Sequence, residues 1–196
     1  MTAGDRQPVS VSRRIAAPAE VLLAVLADPA RHRSIDGSGM VGQALTTSLI
    51  SQAGDTFTMR MHDDEMGDYE ITKHVIDYQP KRRIAWEPVL TAASRPEDQA
   101  DIGDRSHHRR IYELTPDGPD ATIVTETYDC TRAPEWPRRA MKNGQHSMTA
   151  TTVTLENSTS NATGCRRRHR MDMIAARADH PFSRVAAITK LGIALR

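Results

Sequence analysis

Three residues in alternating stretches of the chain carry groups that could handle protons inside a folded domain. They are His74, Tyr112 and Glu126. An imidazole has a pKa near neutrality, so His74 could remove a proton next to a carbonyl, and a phenol such as Tyr112 could stabilise the resulting enolate. Alternation alone does not say which face of a strand is buried, and a strand histidine is more often on the surface. These three residues are therefore the catalytic candidates.

Metal, nucleotide and thiol chemistry have little support in the sequence. His107 and His108 are adjacent in a polar stretch, and neighbouring residues of an extended chain point in opposite directions. The acidic run His62–Glu65 is explained by a solvated turn. No Gly-rich phosphate loop follows a strand, and neither Cys130 nor Cys165 has a nearby histidine or helix start that would activate it. We therefore expect no metal and no cofactor.

The elements that must position the candidates are mostly strands. Alternation of apolar and polar residues predicts a first strand near Val9–Ile15, a weak one over Val41–Ile50, and five clearer ones: Phe57–Met61, Tyr69–Tyr78, Arg83–Glu87, Arg109–Thr115 and Ala121–Asp129. Pro88 is expected to end the strand that begins at Arg83, and the run 116–120 is rich in turn residues. The spacings are short enough for antiparallel neighbours.

Two helical segments are also predicted, one after the first strand and one after the last strand. Pro18 precedes an apolar face formed by Val21, Leu22, Val25 and Leu26, and the step Asp28-Pro29 stops it. The second segment is 141–156, where Met141, Met148 and Leu155 recur every seven residues. Its threonines and valine would fit a strand as well, but the recurrence favours a helix.

Charge divides the chain into two parts. The 196 residues carry a net charge of +1, yet residues 158–196 hold eight basic and two acidic side chains. The average therefore gives no field that attracts nucleic acid or membrane. We predict one domain over 1–157 and a basic, poorly packed extension over 158–196.

Six short sequence segments resemble segments of one protein family and occur in the same order and at the same spacing. They are Ile15-Ala-Ala-Pro-Ala-Glu-Val, Leu26-Ala-Asp-Pro-Ala-Arg-His, Asp68-Tyr-Glu-Ile-Thr-Lys-His-Val, Arg82-Arg-Ile-Ala-Trp, Arg110-Ile-Tyr-Glu-Leu-Thr-Pro and Val124-Thr-Glu-Thr-Tyr-Asp. Over residues 8–156 the chain resembles the START-related polyketide cyclase/dehydrase and lipid-transport superfamily, the birch-pollen-allergen-like proteins. The resemblance implies an α+β helix-grip fold, a curved antiparallel sheet of six to seven strands around a long C-terminal helix. Members bind, carry or convert different apolar molecules.

A sheet bent around one helix is hard to fill with only 4% aromatic residues. We therefore expect an elongated apolar cavity. Trp86 and Tyr112 are the strongest lining candidates because each has a flat apolar face and one hydrogen-bonding group. The full set of predicted ligand-binding residues is Phe57, Met59, Met61, Ile84, Trp86, Tyr112, Leu114, Met148 and Thr152.

These observations lead to three functional hypotheses. The first is intracellular binding of a small hydrophobic ligand, lipid-like or polyketide-like, in the internal cavity. The second is an enzyme of the polyketide cyclase/dehydratase type acting in the same cavity, and the third is an interaction protein that uses the basic tail. No export signal and no apolar stretch long enough to span a bilayer are present in the sequence, so we expect a cytoplasmic protein. We expect no specific nucleic-acid partner, and the oligomeric state stays open.

Overall fold

The alternating stretches of the chain form seven strands. Two short helices and a 3-10 turn lie between the first and the second strand, and a longer helix follows the last strand. The structure is a computed structural model that describes residues 7–64, 67–90, 107–133 and 148–159. In chain order the elements are β1 (Val9–Ile15), α1 (Ala19–Leu26), a 3-10 turn (Pro29–Arg31), α2 (His32–Ile35), β2 (Val41–Ala44), β3 (Thr56–Asp63), β4 (Gly67–Gln79), β5 (Arg83–Leu90), β6 (Arg109–Pro116), β7 (Thr122–Asp129) and α3 (148–159).

All seven strands belong to one antiparallel sheet with the order β1-β7-β6-β5-β4-β3-β2. The first strand thus pairs with the last, and β2 forms the opposite edge. A register shift between Val75 and Asp77 interrupts the ladder of β4 and β5, and such bulges bend a sheet. The predicted α+β architecture of a curved antiparallel sheet with a C-terminal helix is confirmed.

The apolar core lies between the concave face of this sheet and the helices. Fully buried side chains come from every layer: Ile15, Leu22, Leu26, Phe57, Met59, Ile84, Val124 and Leu155. On β4 the buried positions are Ile71, Lys73 and Val75, so the odd-numbered residues there face the core. One charged residue, Lys73, therefore occupies a core-facing position.

Threonines do not prevent α3 from being helical. The hydroxyl of Thr152 donates to the carbonyl of Thr149 at 2.9 Å, and that of Thr154 donates to the carbonyls of Thr151 and Ile35. Hydroxyl groups bonded back to the preceding turn are satisfied inside a helix. The predicted helix over 141–156 is thus observed from 148 onward and continues to 159, whereas 141–147 lie outside the described residues.

Two boundaries differ from the sequence expectation. The strand predicted over Val41–Ile50 ends at Ala44, and the Ile50 amide donates to the carbonyl of Ala27 instead. Pro88 does not end β5, which continues to Leu90. The described pairing of β5 with β6 stops at Trp86, whereas Pro88 is still paired with Lys73 of β4.

Residues 91–106 and nearly all of the predicted extension 158–196 lie outside the described residues. Only its first two residues are described, and they form the last part of α3. The domain boundary and the tail-based interaction hypothesis therefore stay predictions. Within the described part of the chain, no helix has the length and apolar character needed to cross a membrane.

Candidate functional site

A small cavity opens between the concave face of the sheet and the segment that follows α2. It is lined by His32, Ile35, Asp36, Val41, Lys73, Trp86, Arg110, Tyr112 and Thr151. The volume of the cavity is about 20 Å³. A site of that size holds one water molecule or a group of similar size, such as a carbonyl oxygen. Seven of its nine lining residues carry a polar side-chain group, so the site is more polar than the sequence predicts.

Lys73 is the unusual member of the lining. Its side chain points from β4 into the core, and the residue is only 6% exposed. The ammonium nitrogen lies 5.5 Å from the centre of the Phe57 ring and 5.7 Å from that of Trp86. Among the residues that the structure describes, it has no hydrogen bond and no ion pair within 4.0 Å. Burial, together with the nearby positive charge of Arg110, lowers the pKa of Lys73 to about 7.

Arg110, unlike Lys73, has a carboxylate partner. Its Nε donates to Oε1 of Glu126 at 2.6 Å, and its second terminal nitrogen approaches the same oxygen at 2.6 Å. Glu126 is completely buried, and the Tyr112 hydroxyl also interacts with its carboxylate. Burial raises the pKa of Glu126 although Arg110 opposes this effect. Arg110 and Glu126 therefore form an ion pair beside the cavity, in which each charge is compensated by the other.

Aromatic rings form the apolar wall of the site. The ring centroids of Trp86 and Tyr112 are 5.4 Å apart, and those of Phe57 and Trp86 are 5.6 Å apart. His32 stacks on Trp86 at 5.3 Å, and its Nε2 lies 2.8 Å from the carbonyl oxygen of Leu26. Burial lowers the pKa of His32 to about 3, so the neutral ring donates its Nε2 hydrogen to that carbonyl. His32 thus acts as a wall of the site and carries no charge near neutral pH.

Asp36 brings the only negative charge among the lining residues. Its carboxylate accepts hydrogen bonds from the amides of Ser38 and Val41 and from the Ser38 hydroxyl. The adjacent Gly37 amide donates to Oγ1 of Thr151 at 3.0 Å, which joins this segment to α3. A Cβ on Gly37 would lie 2.3 Å from the backbone nitrogen of Thr151, so only glycine permits this approach.

The predicted site residues divide into three groups. Trp86 and Tyr112 line the cavity. The side chains of Phe57, Met59, Ile84, Leu114, Met148 and Thr152 are buried in the surrounding core, and Met61 is half-buried against it. Glu126 reaches the site through Arg110. His74 lies beside Lys73 on the opposite face of β4, next to Thr56 and Glu87 of the neighbouring strands, so the structure does not bring it to the cavity.

Sequence reasoning missed five of the polar lining residues: His32, Asp36, Lys73, Arg110 and Thr151. A signal for Lys73 was available, because it occupies a core-facing step between Ile71 and Val75. Arg110 likewise shares its strand face with Tyr112 and Leu114. His32 and Asp36 gave no such signal because they belong to a short segment without strand periodicity.

Other polar clusters do not add a second site. No group of three or more histidine, cysteine, aspartate or glutamate side chains is close enough to hold a metal in the described parts of the chain. Near the end of β3, Nδ1 of His62 donates to the Asp68 carboxylate at 2.7 Å on the surface. Burial lowers the pKa of His108 to about 3, and its ring stacks on Tyr128.

Comparisons with known proteins agree with this architecture. No family model matches the chain. It is 33% identical over 146 residues to the uncharacterized protein Rv0088 of Mycobacterium tuberculosis, a match that covers 74% of this chain and 55% of that protein. The chain therefore spans about half the length of this curated relative.

Solved structures show the same fold at low sequence identity. The Zhui aromatase/cyclase of Streptomyces sp. R1128 is similar with a TM-score of 0.54 and 15% identity, over 80% of this chain and 95% of that one. The AHSA1 protein of Silicibacter pomeroyi has a TM-score of 0.55 and 16% identity, over 80% and 99% of the two chains. The seven-stranded curved sheet, the C-terminal helix and these neighbours agree with the sequence resemblance, and the chain has the helix-grip fold of the START-related polyketide cyclase/dehydrase superfamily.

Proposed function

We propose that the domain binds a small organic molecule that has an apolar body and an oxygen-bearing end, and that the oxygen lies beside Lys73. The observation that carries this proposal is a lysine ammonium buried against the cavity without an anionic contact within 4.0 Å among the described residues. A buried cation is costly unless an opposite charge or strong acceptors compensate it. A carboxylate, an enolate or a carbonyl oxygen would supply that compensation.

The other charges at the site are already engaged. Glu126 contacts Arg110 at 2.6 Å. The Asp36 carboxylate accepts three hydrogen bonds from Ser38 and Val41. Lys73 is thus the charged group that a ligand can compensate. An anionic or strongly dipolar ligand group is therefore favoured beside its ammonium.

The walls of the cavity suit the apolar part of such a ligand. The rings of Trp86 and Tyr112 line the cavity, and the Phe57 ring in the core behind them lies 5.5 Å from the Lys73 nitrogen. Met59 belongs to the same buried core, and an unbranched thioether adapts its shape easily. Because the cavity itself admits only a water-sized group, a larger ligand must displace these side chains. Lipid-like and polyketide-like molecules both have the required combination of groups.

A matched pair of probes tests the proposal. The chain has two tryptophans, Trp86 and Trp136, so a Trp136→Phe background leaves Trp86 as the reporter. Titration with octanoate and with octanol compares the same apolar chain with and without a carboxylate. We expect octanoate to quench Trp86 emission at saturation, and Lys73→Met to weaken octanoate binding about tenfold, equivalent to about 1.4 kcal/mol, with a smaller effect on octanol.

The control variant is Lys81→Met, since Lys81 is 65% exposed and pairs with Glu20 on the surface. It should leave both affinities unchanged. No response of Trp86 to either probe, or equal weakening by the two lysine variants, would contradict the proposed function.

A second candidate function is proton-transfer catalysis of the cyclase/dehydratase type. It is favoured by the convergence of Lys73 and Tyr112 on one cavity. A lysine with a pKa of about 7 exists partly as the neutral base at neutral pH, and burial raises the pKa of Tyr112 well above its ordinary value, so the phenol stays protonated. Lys73 could then remove a proton next to a carbonyl while Tyr112 donates a hydrogen bond to the oxygen.

Exchange of the acidic protons of pentane-2,4-dione in deuterated water tests this second function. Proton NMR should show faster exchange with the wild-type protein than with Lys73→Met, after subtraction of the buffer rate. Equal rates for the two proteins would argue for binding without chemistry.

A further inference from the structure

We propose that Lys73 is a nucleophile that forms an imine with an aldehyde or ketone group of a ligand. This inference rests on the proposed function, because it requires a small molecule to enter the cavity. It goes further by assigning a covalent step to one nitrogen atom and a carbonyl to the ligand.

The geometry meets the conditions for a reactive amine. Lys73 lines the cavity, and its nitrogen lies 5.5 Å from the centroid of the Phe57 ring and 5.7 Å from that of the Trp86 ring. No carboxylate within 4.0 Å fixes its proton among the described residues, in contrast to Arg110. A lysine in an apolar pocket near another cation loses its proton more easily, which makes its nitrogen nucleophilic.

Charged and titratable groups face Lys73 from the elements around it. Arg110 on β6 favours the neutral amine, whereas Asp36 after α2 favours the charged form. His32 of α2 and His108 before β6 both have pKa values of about 3 and are neutral near pH 7. Burial is the largest influence, and the pKa of Lys73 of about 7 supports a substantial neutral fraction at physiological pH.

The reaction balances without any further reagent. The nitrogen lone pair of the neutral amine attacks the carbonyl carbon, and the π pair moves to the carbonyl oxygen. Transfer of one proton from nitrogen to oxygen gives a carbinolamine. The hydroxyl then leaves with the second nitrogen proton as water, and the C=N bond forms. Tyr112 lines the same cavity and keeps its proton. Its hydroxyl interacts with Glu126, so it donates a hydrogen bond to the ligand oxygen during attack and departure only by exchanging that contact.

Reductive trapping on the complete wild-type chain tests the inference. The protein is incubated with octanal and sodium cyanoborohydride near pH 7, digested, and mapped by mass spectrometry. The chain has only four lysines, Lys73, Lys81, Lys142 and Lys190, so each site of octyl addition can be assigned. We expect Lys73 to be alkylated at least tenfold faster than Lys81, which is exposed and paired with Glu20.

Two controls separate this inference from the proposed function. Octanoate cannot form an imine, so excess octanoate should protect Lys73 but not Lys81. If octanoate binds at Trp86 while Lys73 is alkylated no faster than Lys81, the imine is excluded and the binding function stands. If octanoate does not bind either, the proposed function itself fails. A Lys81→Arg variant should retain the Lys73 adduct, and a Lys73→Arg variant should lose it.

Discussion

Arg110 and Glu126 meet across β6 and β7 with an Nε to Oε1 distance of 2.6 Å, in a part of the core where Glu126 has no solvent exposure. The two residues compensate each other's charge within the sheet. Lys73 is then the charged group of the site that is available to a ligand. This relationship determines the electrostatics of the whole site, so its disruption gives the first prediction.

Glu126→Gln should destabilise the fold strongly. The substitution removes the carboxylate and leaves the Arg110 guanidinium buried without a counter-charge, which costs about 3 to 5 kcal/mol in comparable pairs. Urea denaturation followed by circular dichroism measures the change. Glu113→Gln is the matched control, because Glu113 pairs with Arg83 at a half-exposed position, where an ion pair contributes about 1 kcal/mol or less. Equal losses for the two variants would contradict the buried pair.

Lys73→Met should stabilise the fold near pH 7, and the advantage should shrink as the pH rises. The unfolded lysine has a pKa near 10.5 and the folded one near 7, so the unfolded state binds more protons between these values. The free energy of unfolding of the wild type therefore increases with pH in this window. Two pH units, from 7 to 9, correspond to about 2 to 3 kcal/mol at 1.36 kcal/mol per unit.

Denaturation curves of the wild type and of Lys73→Met at pH 7, 8 and 9 measure this difference. Lys81→Met serves as the control and should show no change with pH relative to the wild type. A constant difference between Lys73→Met and the wild type across the three pH values would contradict the lowered pKa.

His32 should make the protein sensitive to acid. Its pKa falls from 6.5 in the unfolded chain to about 3 in the fold, so the unfolded state takes up a proton first and stability decreases as the pH falls below 6.5. Each such group contributes a slope of about 1.4 kcal/mol per pH unit. His32→Phe should reduce the slope by about that amount, as measured by urea denaturation between pH 6 and pH 4.

His62→Gln is the comparison for this acid effect. His62 is exposed, and its hydrogen bond to Asp68 raises its pKa. That contribution is present at low pH and is lost as the pH rises through the folded value, so its removal should not flatten the acid slope. An unchanged slope in His32→Phe would show that His32 is accessible to protons in the fold.

Gly37→Ala should separate α3 from the segment that carries Asp36. A Cβ at this position would lie 2.3 Å from the Thr151 nitrogen and 2.5 Å from the Ala150 carbonyl carbon, and both are backbone atoms that cannot rotate away. We expect a loss of about 2 kcal/mol or more in stability, together with weaker octanoate binding. Gly118→Ala tests backbone strain alone, because Gly118 has φ +85° in open space, and it should leave octanoate binding unchanged.

The fold could be predicted from the sequence because period-two alternation and turn residues define the strands directly. Phe57, Met59 and Ile84 are buried as their alternation indicates. The site was only partly predictable. Strand periodicity predicts Trp86 and Tyr112 correctly. On β4 it does not distinguish His74, the predicted site residue, from the adjacent Lys73, which faces the cavity. One strand of alternating residues has two faces, and only the packing of the sheet against the helices decides which of them is inside.

The volume of the interior also could not be derived from composition. The low aromatic content predicts an elongated apolar cavity, whereas the cavity beside Lys73 is small and lined mostly by residues with polar groups. Asp36 and His32 reach it from a short irregular segment whose position depends on the contact of Gly37 with α3. Such contacts between distant parts of the chain leave no local pattern in the sequence.

Site-resolved titration of the lysines by NMR tests the central claim most directly. With carbon-13 at the lysine Cε, only four side chains give signals, and Lys73→Arg assigns the one of interest. We predict that the Lys73 signal titrates with a midpoint near pH 7 and that saturating octanoate moves this midpoint upward, since a bound carboxylate stabilises the ammonium. A midpoint near 10.5 that does not respond to octanoate would contradict the account.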